Sequence, residues 1–235
     1  MKITNTEVYG FEASLRGMRN PMNSWHLQDS CDVCENYDCC LECEYYDESE
    51  KDCTHFANSV CSNMIETIAI GPNDMDLAKR LIKAGPEHCK FLRQIQVWAD
   101  FDMPLYWWSE FDTYKFNTKN SCSTMHKLFN AKKGIELSDF VYSVEDKPTL
   151  TFLISQLNFL RERYLQTKDF EYVRRGKKLL PTSFKQKRTV NTNYAELMNI
   201  YNQRKHHRLK EEWQDVFCKW CESLPYFTEF LSARD

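Results

Sequence analysis

Two thiol pairs, Cys31-x-x-Cys34 and Cys40-x-x-Cys43, are the densest concentration of reactive side chains in the sequence, with Cys39, Cys53, His55 and Cys61 close by. Two such turns can each offer two thiolates to one tetrahedral zinc ion, which suits soft ligands. The loop between the pairs is five residues, shorter than zinc-ribbon spacing. Asp32, Glu35, Asp38 and Glu42 would add repulsion to four thiolates. An acidic insertion with reduced thiols therefore stands as the alternative to a zinc knuckle built from Cys31, Cys34, Cys40 and Cys43. Farther along, Cys122 and His126 are four residues apart, but proximity in sequence does not make a nucleophile–base dyad.

Composition narrows the chemistry. The chain has 235 residues, 42% hydrophobic and 28% charged, with a net charge of -3, an ordinary profile for a globular protein with a real core. Its six glycines, at positions 10, 17, 71, 85, 134 and 176, are scattered singly. Neither a GxGxxG nor a GxxxxGK[ST] phosphate loop can be written, which excludes the standard dinucleotide and P-loop readings. No apolar run is long enough to span a membrane, and the opening residues lack a secretory signal's apolar core. A cytoplasmic location is expected. An odd cysteine count argues against a disulfide framework.

Charge is segregated. From Asp29 to Asp52 ten acidic residues face one basic residue, Lys51, whereas from Arg161 to Arg188 ten basic residues face three acidic ones. The basic half is where an anionic ligand would be attracted. Tyr164, Phe170, Tyr172 and Phe184 are interleaved there, yet such stretches usually form solvated helix faces, and no nucleic-acid partner is expected. His206-His207 beside Arg204 reads as a solvated or subunit-facing pair rather than a metal site.

The elements that must position these groups follow from periodicity. Residues 3–11 and 65–70 read as short strands. Asn73 or Asp74 can cap a helix whose apolar face is Met75, Ala78, Leu81 and Ile82, stopped by Gly85-Pro86. Phe91, Ile95, Val97, Ala99 and Phe101 recur at odd positions, predicting a long half-buried strand that ends at Pro104. Trp107-Trp108 reads as core or interface rather than a ligand platform. Helical spacing follows over Leu150–Tyr164, Tyr194–Arg204 and Leu209–Leu224. Strands early and long helices late predict an α+β domain spanning 1–235, with a cysteine-rich acidic insertion at 28–62.

The segment from Thr113 to His126 falls without a gap on the pattern RHRxxSxNExSxRY, with Asn120 and Ser123 identical and Lys115 and Thr118 conservative. Around it the order is Glu87-His88, Pro104, then Leu180-Pro181, Asn193, Leu197-Met198-Asn199 and Arg204. This order and spacing, over residues 66–230, resembles the flavin-dependent thymidylate synthases. The resemblance implies a sheet-centred α+β domain with flanking helices, a homotetramer, and transfer of a one-carbon unit to dUMP with FAD as hydride donor and NADPH as reductant. It sets Thr113, Tyr114, Lys115, Ser121, Asn193 and Asn199 against FAD. It sets Glu110, Ser121, Ser123, Met125, Lys177 and Arg204 against the nucleotide, with Arg204 as the catalytic residue that polarises the pyrimidine.

Several anchors of that chemistry are replaced. Thr113 and Met125 stand for arginines, Tyr114 for a histidine, Ser121 for a glutamate and His126 for a tyrosine. Each lost charge-assisted contact costs on the order of 1.5 to 3 kcal/mol. Three functions therefore remain compatible with the sequence: a divergent flavin-dependent methyltransferase acting on a pyrimidine nucleotide, a catalytically inactive binding or structural protein of the same fold, and a zinc-stabilised docking module.

Overall fold

The computed structural model describes residues 1–32, 46–47, 52–53, 68–129 and 132–234. In chain order the elements are β1 (Lys2–Tyr9), α1 (Phe11–Met18), β2 (Cys31–Asp32), β3 (Tyr46–Asp47), β4 (Asp52–Cys53), β5 (Ile68–Ala69), α2 (Pro72–Lys83), β6 (Gln96–Pro104) and α3 (Leu105–Phe111). They continue with β7 (Thr118–Ser121), α4 (Thr124–Lys127), α5 (Lys147–Thr167), α6 (Glu171–Leu179), β8 (Lys185–Asn193), α7 (Tyr194–Arg204), α8 (Lys219–Glu222) and α9 (Phe227–Ser232). A four-stranded antiparallel sheet has the order β1-β6-β8-β7, and β2 pairs with β5 and β3 with β4 in two small ladders. The α+β class expected from the sequence is the class observed. The chain divides into two compact units, Met1–Thr4 with Asp100–Val190 and Asn5–Ala99 with Asn191–Asp235.

In the second of these units, β1 ends where Gly10 takes a φ of +96° and α1 begins. A Cβ at position 10 would stand 2.6 Å from the Gln94 carbonyl oxygen, so glycine is required both by conformation and by the close backbone approach. Helix α2 spans the expected region, but its buried residues are Asp74, Leu77, Ala78 and Ile82. Neither Asn73 nor Asp74 caps it. Asp29 does so from a distant part of the sequence, accepting from the Asn73 and Asp74 N–H groups at 2.8 and 2.9 Å. That releases the Asp74 carboxylate to accept from the Arg19 guanidinium at 2.6 Å. Phe11, Tyr194, Tyr226, Phe227 and Phe230 form an edge-to-face aromatic core around α7 and α9, with the Tyr194 hydroxyl donating to the Pro225 carbonyl at 2.7 Å.

The long strand starts later than the periodicity predicts. Lys90–Arg93 forms a 3-10 turn in which the adjacent Phe91 and Leu92 are both buried, an arrangement that strand alternation cannot provide. From Gln96 to Pro104 alternation is clean, with Val97, Ala99, Phe101 and Met103 buried.

The helical stretch after Leu209 adopts a π-helical turn, Glu211–Cys218, before continuing into α8. Burial raises the Cys218 thiol from 9.0 to about 12, with Glu222 adding to the shift. Burial, then Cys218 and Glu222, also raise Cys221. The fold therefore favours the neutral thiols. That contribution is intact below pH 9 and is lost as pH climbs toward about 12. Thermal melts over a pH series should show the midpoint falling across that window; a constant midpoint there would contradict the assignment.

In the first unit, Phe101, Trp107, Trp108, Phe111 and Tyr114 pack as one aromatic cluster, with centroids 4.8–6.2 Å apart. Both tryptophans are core, as expected. A separate aliphatic core joins Leu150, Ile154, Leu157 and Leu160 of α5 to Val173 of α6 and to Leu128, Phe129, Ile135 and Phe140. Gly176 lets α6 approach Phe129 so closely that a Cβ would lie 2.3 Å from its ring.

Candidate functional site

The first unit contains a cavity of about 280 Å³. One wall is the turn from β7 into α4, Cys122 to Thr124, followed by Lys127 and Leu128. A second is the segment Lys133–Ile135 together with Asp139, and a third is the start of β8, Phe184 to Lys187, with Asp102 of β6.

Local hydrogen bonds fix these walls. Asn158 on α5 accepts from the Ile135 N–H and donates to the Ile135 carbonyl, both at 2.9 Å. Its side chain therefore pairs with the loop as a neighbouring strand would. The Cys122 N–H donates to the Lys187 carbonyl at 2.9 Å, and Gln186 Nε2 donates to the Cys122 carbonyl at 2.6 Å.

Four ammonium groups line the cavity: Lys127, Lys133, Lys185 and Lys187. Lys187 meets Asp100 at 2.8 Å, Lys185 meets Asp102 at 3.6 Å, and Lys133 meets Glu136 and Asp139 at 3.2 and 3.6 Å. The hydrogen bond to Asp100 raises Lys187, and the one to Glu136, followed by the field of Asp139, raises Lys133. Both stay protonated. Lys127 has no ion-pair partner among the described residues. Leu128, Ile135 and Phe184 give the cavity an apolar side. A flat apolar group carrying a negative charge fits this combination.

Beside the cavity, the turn after α3 gathers a second set of cations. Arg188 stacks on Trp108 at 4.1 Å, its Nε donates to Gln186 Oε1 at 3.0 Å, and its Nη1 lies 3.1 Å from each Asp112 carboxylate oxygen. Lys119 stands 3.2 Å from Asp112 Oδ1 and 5.3 Å from the Phe111 ring centre. Lys115 Nζ donates to the Asp112 carbonyl at 3.0 Å.

The residues singled out from the sequence take varied places. Ser123 lines the cavity, and Ser121 is exposed at the end of β7. Met125 lies on α4, Glu110 is half-buried on α3, and Lys177 is half-buried on α6. Thr113 donates its hydroxyl to the Glu110 carbonyl at 2.7 Å. Tyr114 is only 8% exposed, with its ring against Phe111.

Asn193, Asn199 and Arg204 belong to the other unit. There Asn193 caps α7 by accepting from the Glu196 N–H at 3.1 Å, and Asn199 accepts from Gln203 at 3.0 Å. The Arg204 guanidinium stacks on Trp213 at 4.6 Å. Cys31 is exposed in β2, while Cys34, Cys40 and Cys43 lie outside the described residues. Among the described residues no group of three His, Cys, Asp or Glu gathers to hold a metal, and no helix is long and apolar enough to cross a membrane.

Sequence reasoning missed the cavity lysines and Arg188. It assigned the basic stretch to helix faces, whereas Lys185, Lys187 and Arg188 lie on a strand. The signal was there in Thr189-Val190-Asn191-Thr192, whose β-branched residues favour a strand. Strand alternation then sets Lys185 and Lys187 on one face and Gln186 and Arg188 on the other.

No family model matches the chain, and no curated protein matches it in sequence. Solved structures do match. A flavin-dependent thymidylate synthase, ThyX, from Helicobacter pylori complexed with FAD and dUMP superposes with a TM-score of 0.64 at 14% identity, covering 98% of this chain and 97% of that one. A second structure of Helicobacter pylori ThyX with FAD and dUMP gives 0.64 at 13% identity, covering all of both chains. The chain is similar to these proteins in fold; at this identity the likeness extends to the fold alone.

Proposed function

We propose that this protein is a divergent flavin-dependent, thymidylate synthase-like methyltransferase, which takes a dUMP-like pyrimidine nucleotide into the lysine-lined cavity and uses FAD as cofactor. The observation that carries the reading is that cavity, lined by four lysines, two aspartates and the apolar Leu128, Ile135 and Phe184, in a chain whose fold resembles that of FAD- and dUMP-bound enzymes. Its volume of about 280 Å³ is near the lower end of the ~300–1,000 Å³ usual for small-molecule sites. That size suits a mononucleotide rather than a dinucleotide.

Lys127 is the group available to meet the phosphate. Lys187, raised by its hydrogen bond to Asp100, stays charged and adds to the local positive field. The apolar side excludes water from one face of the base and strengthens polar contacts made there. The residues present also fit an anionic cofactor in charge, because Lys115 is exposed and, among the described residues, bonded to a single backbone carbonyl. Thr113 is proposed to orient the cofactor. Reduced FAD supplies hydride chemistry when bound.

A second reading, a protein of this fold that binds nucleotide without turning it over, is favoured by the burial of Tyr114 and by the local hydrogen bonds of Asn193 and Asn199. Both readings meet one set of experiments. The purified full chain is incubated with FAD, freed of excess cofactor by gel filtration and examined for visible flavin absorbance; dUMP is titrated by calorimetry. Tritium release from labelled dUMP is then followed with methylenetetrahydrofolate and NADPH. Retained flavin, dUMP binding and turnover support the enzyme. dUMP binding without turnover supports the second reading, and a colourless chain indifferent to dUMP overturns both.

A further inference from the structure

We propose that Lys115, Lys119 and Arg188 form an oxoanion site for a phosphoryl group, and that Asp112 occupies it as a built-in competing ligand. Three cations converge on this one residue, two on its carboxylate and one on its carbonyl oxygen. Counted with the Asp112 carboxylate, the group carries two surplus positive charges.

Two of the three cations, Arg188 and Lys119, are held more firmly than the anion, while Lys115 is exposed. The Arg188 side chain is 14% exposed and that of Lys119 16%, whereas the Asp112 side chain is 45% exposed. Arg188 is fixed from three directions, by the face of Trp108, by Gln186 Oε1 and by Asp112. The Trp108 indole N–H is itself tied to the Gln186 carbonyl at 2.9 Å. Arg188 Nη2 has no hydrogen-bond partner among the described residues. Lys119 is anchored over the Phe111 ring. The carboxylate is therefore the solvent-facing and replaceable member.

Energetics favour exchange. The Asp112 carboxylate is 45% exposed, so water screens its attraction to the two cations and its own hydration offsets part of the cost of displacing it. A phosphoryl group brings more oxygens and more charge than a carboxylate, and it can accept from Arg188 and both lysines together. Arg188 also bonds Gln186, a lining residue of the cavity. Filling this site would thus be sensed at the cavity wall. The inference concerns any phosphoryl oxoanion and does not need the flavin reading to hold.

Calorimetric titration of inorganic pyrophosphate into the full chain at low ionic strength tests it, alongside Asp112→Asn and the double variant Lys119→Gln/Arg188→Gln. Asp112→Asn should bind about tenfold more tightly, and the double variant at least about tenfold more weakly. Thermal melts verify that each variant is folded. Asp112→Ser, which removes the charge with a smaller side chain, must reproduce the gain. ADP and FAD titrated in parallel separate the sources. Tighter binding than pyrophosphate, with the same gain in Asp112→Asn, identifies a nucleotide diphosphate, whereas pyrophosphate alone identifies a free anion. Pyrophosphate binding without FAD binding leaves this site standing while the flavin reading fails. No pyrophosphate binding at millimolar concentration, or affinity unchanged in Asp112→Asn, overturns the proposal.

Discussion

Asp74→Ala should lower the unfolding free energy by about 3 to 5 kcal/mol, the usual cost of removing one partner from a buried ion pair. The Arg19 and Asp74 side chains are 3% and 0% exposed and meet at 2.6 Å. Without the carboxylate the guanidinium keeps its charge with no counterion and little access to water. The damage spreads further, because Asp74 Oδ2 also accepts from the Asp29 and Ser30 N–H groups and from the Ser30 hydroxyl, at 3.2, 3.0 and 2.6 Å. Arg19→Met combined with Asp74→Leu should recover part of the loss by removing both charges, though the two backbone donors stay unanswered. Urea unfolding of the two variants beside the unaltered chain measures this. A cost below about 1 kcal/mol for Asp74→Ala would place the pair among those that water screens.

Lys127→Gln combined with Lys187→Gln is expected to weaken dUMP binding by roughly a hundredfold. A hydrogen bond to a charged group is worth about 1.5–3 kcal/mol, and the two lysines approach the cavity from different walls. Stability should change little. Lys187 is 55% exposed in its pair with Asp100, so the pair itself contributes about 0–1 kcal/mol. Calorimetry at fixed ionic strength gives the affinity, with Lys79→Gln, exposed on α2, as a control that leaves it unchanged. Equal affinity in the double variant and the control would mean that the nucleotide lies elsewhere.

What could be read in the sequence was whatever depends on local periodicity. Tyr194–Arg204 emerged as a helix at its expected bounds because Asn193 caps it and Leu197, Ile200 and Tyr201 repeat at helical spacing. The strand ending at Pro104 emerged because one of its faces is buried without exception. The cap of α2 was misassigned because Asp29 reaches it across the chain, and no window around residue 73 contains that information. β8 was hidden by its charges. Lys185, Lys187 and Arg188 look like solvated helix residues until Asp100, Asp102 and Asp112 are known to lie opposite. The candidate site was legible only at Ser123 and in the stretch around it. Its other lysines come from distant segments, which only the pairing of β6 with β8 and the clamp of Asn158 on Ile135 bring together.

The two rungs that join β2 to β5, Cys31 with Ala69 and Asp32 with Ile68, hold the two ends of segment 33–67 side by side. The flanks are secured independently. The Ser30 hydroxyl accepts from the Gly71 N–H at 3.2 Å, Asp29 caps α2, and the Tyr226 hydroxyl donates to the Ile68 carbonyl at 2.9 Å. Lengthening the connection between two fixed ends costs only about 0.6 kcal/mol per doubling. This ladder is therefore a natural splice junction, where descendants of the gene can trade, shorten or embellish the cysteine-bearing passage while the scaffold on either side goes on folding as before.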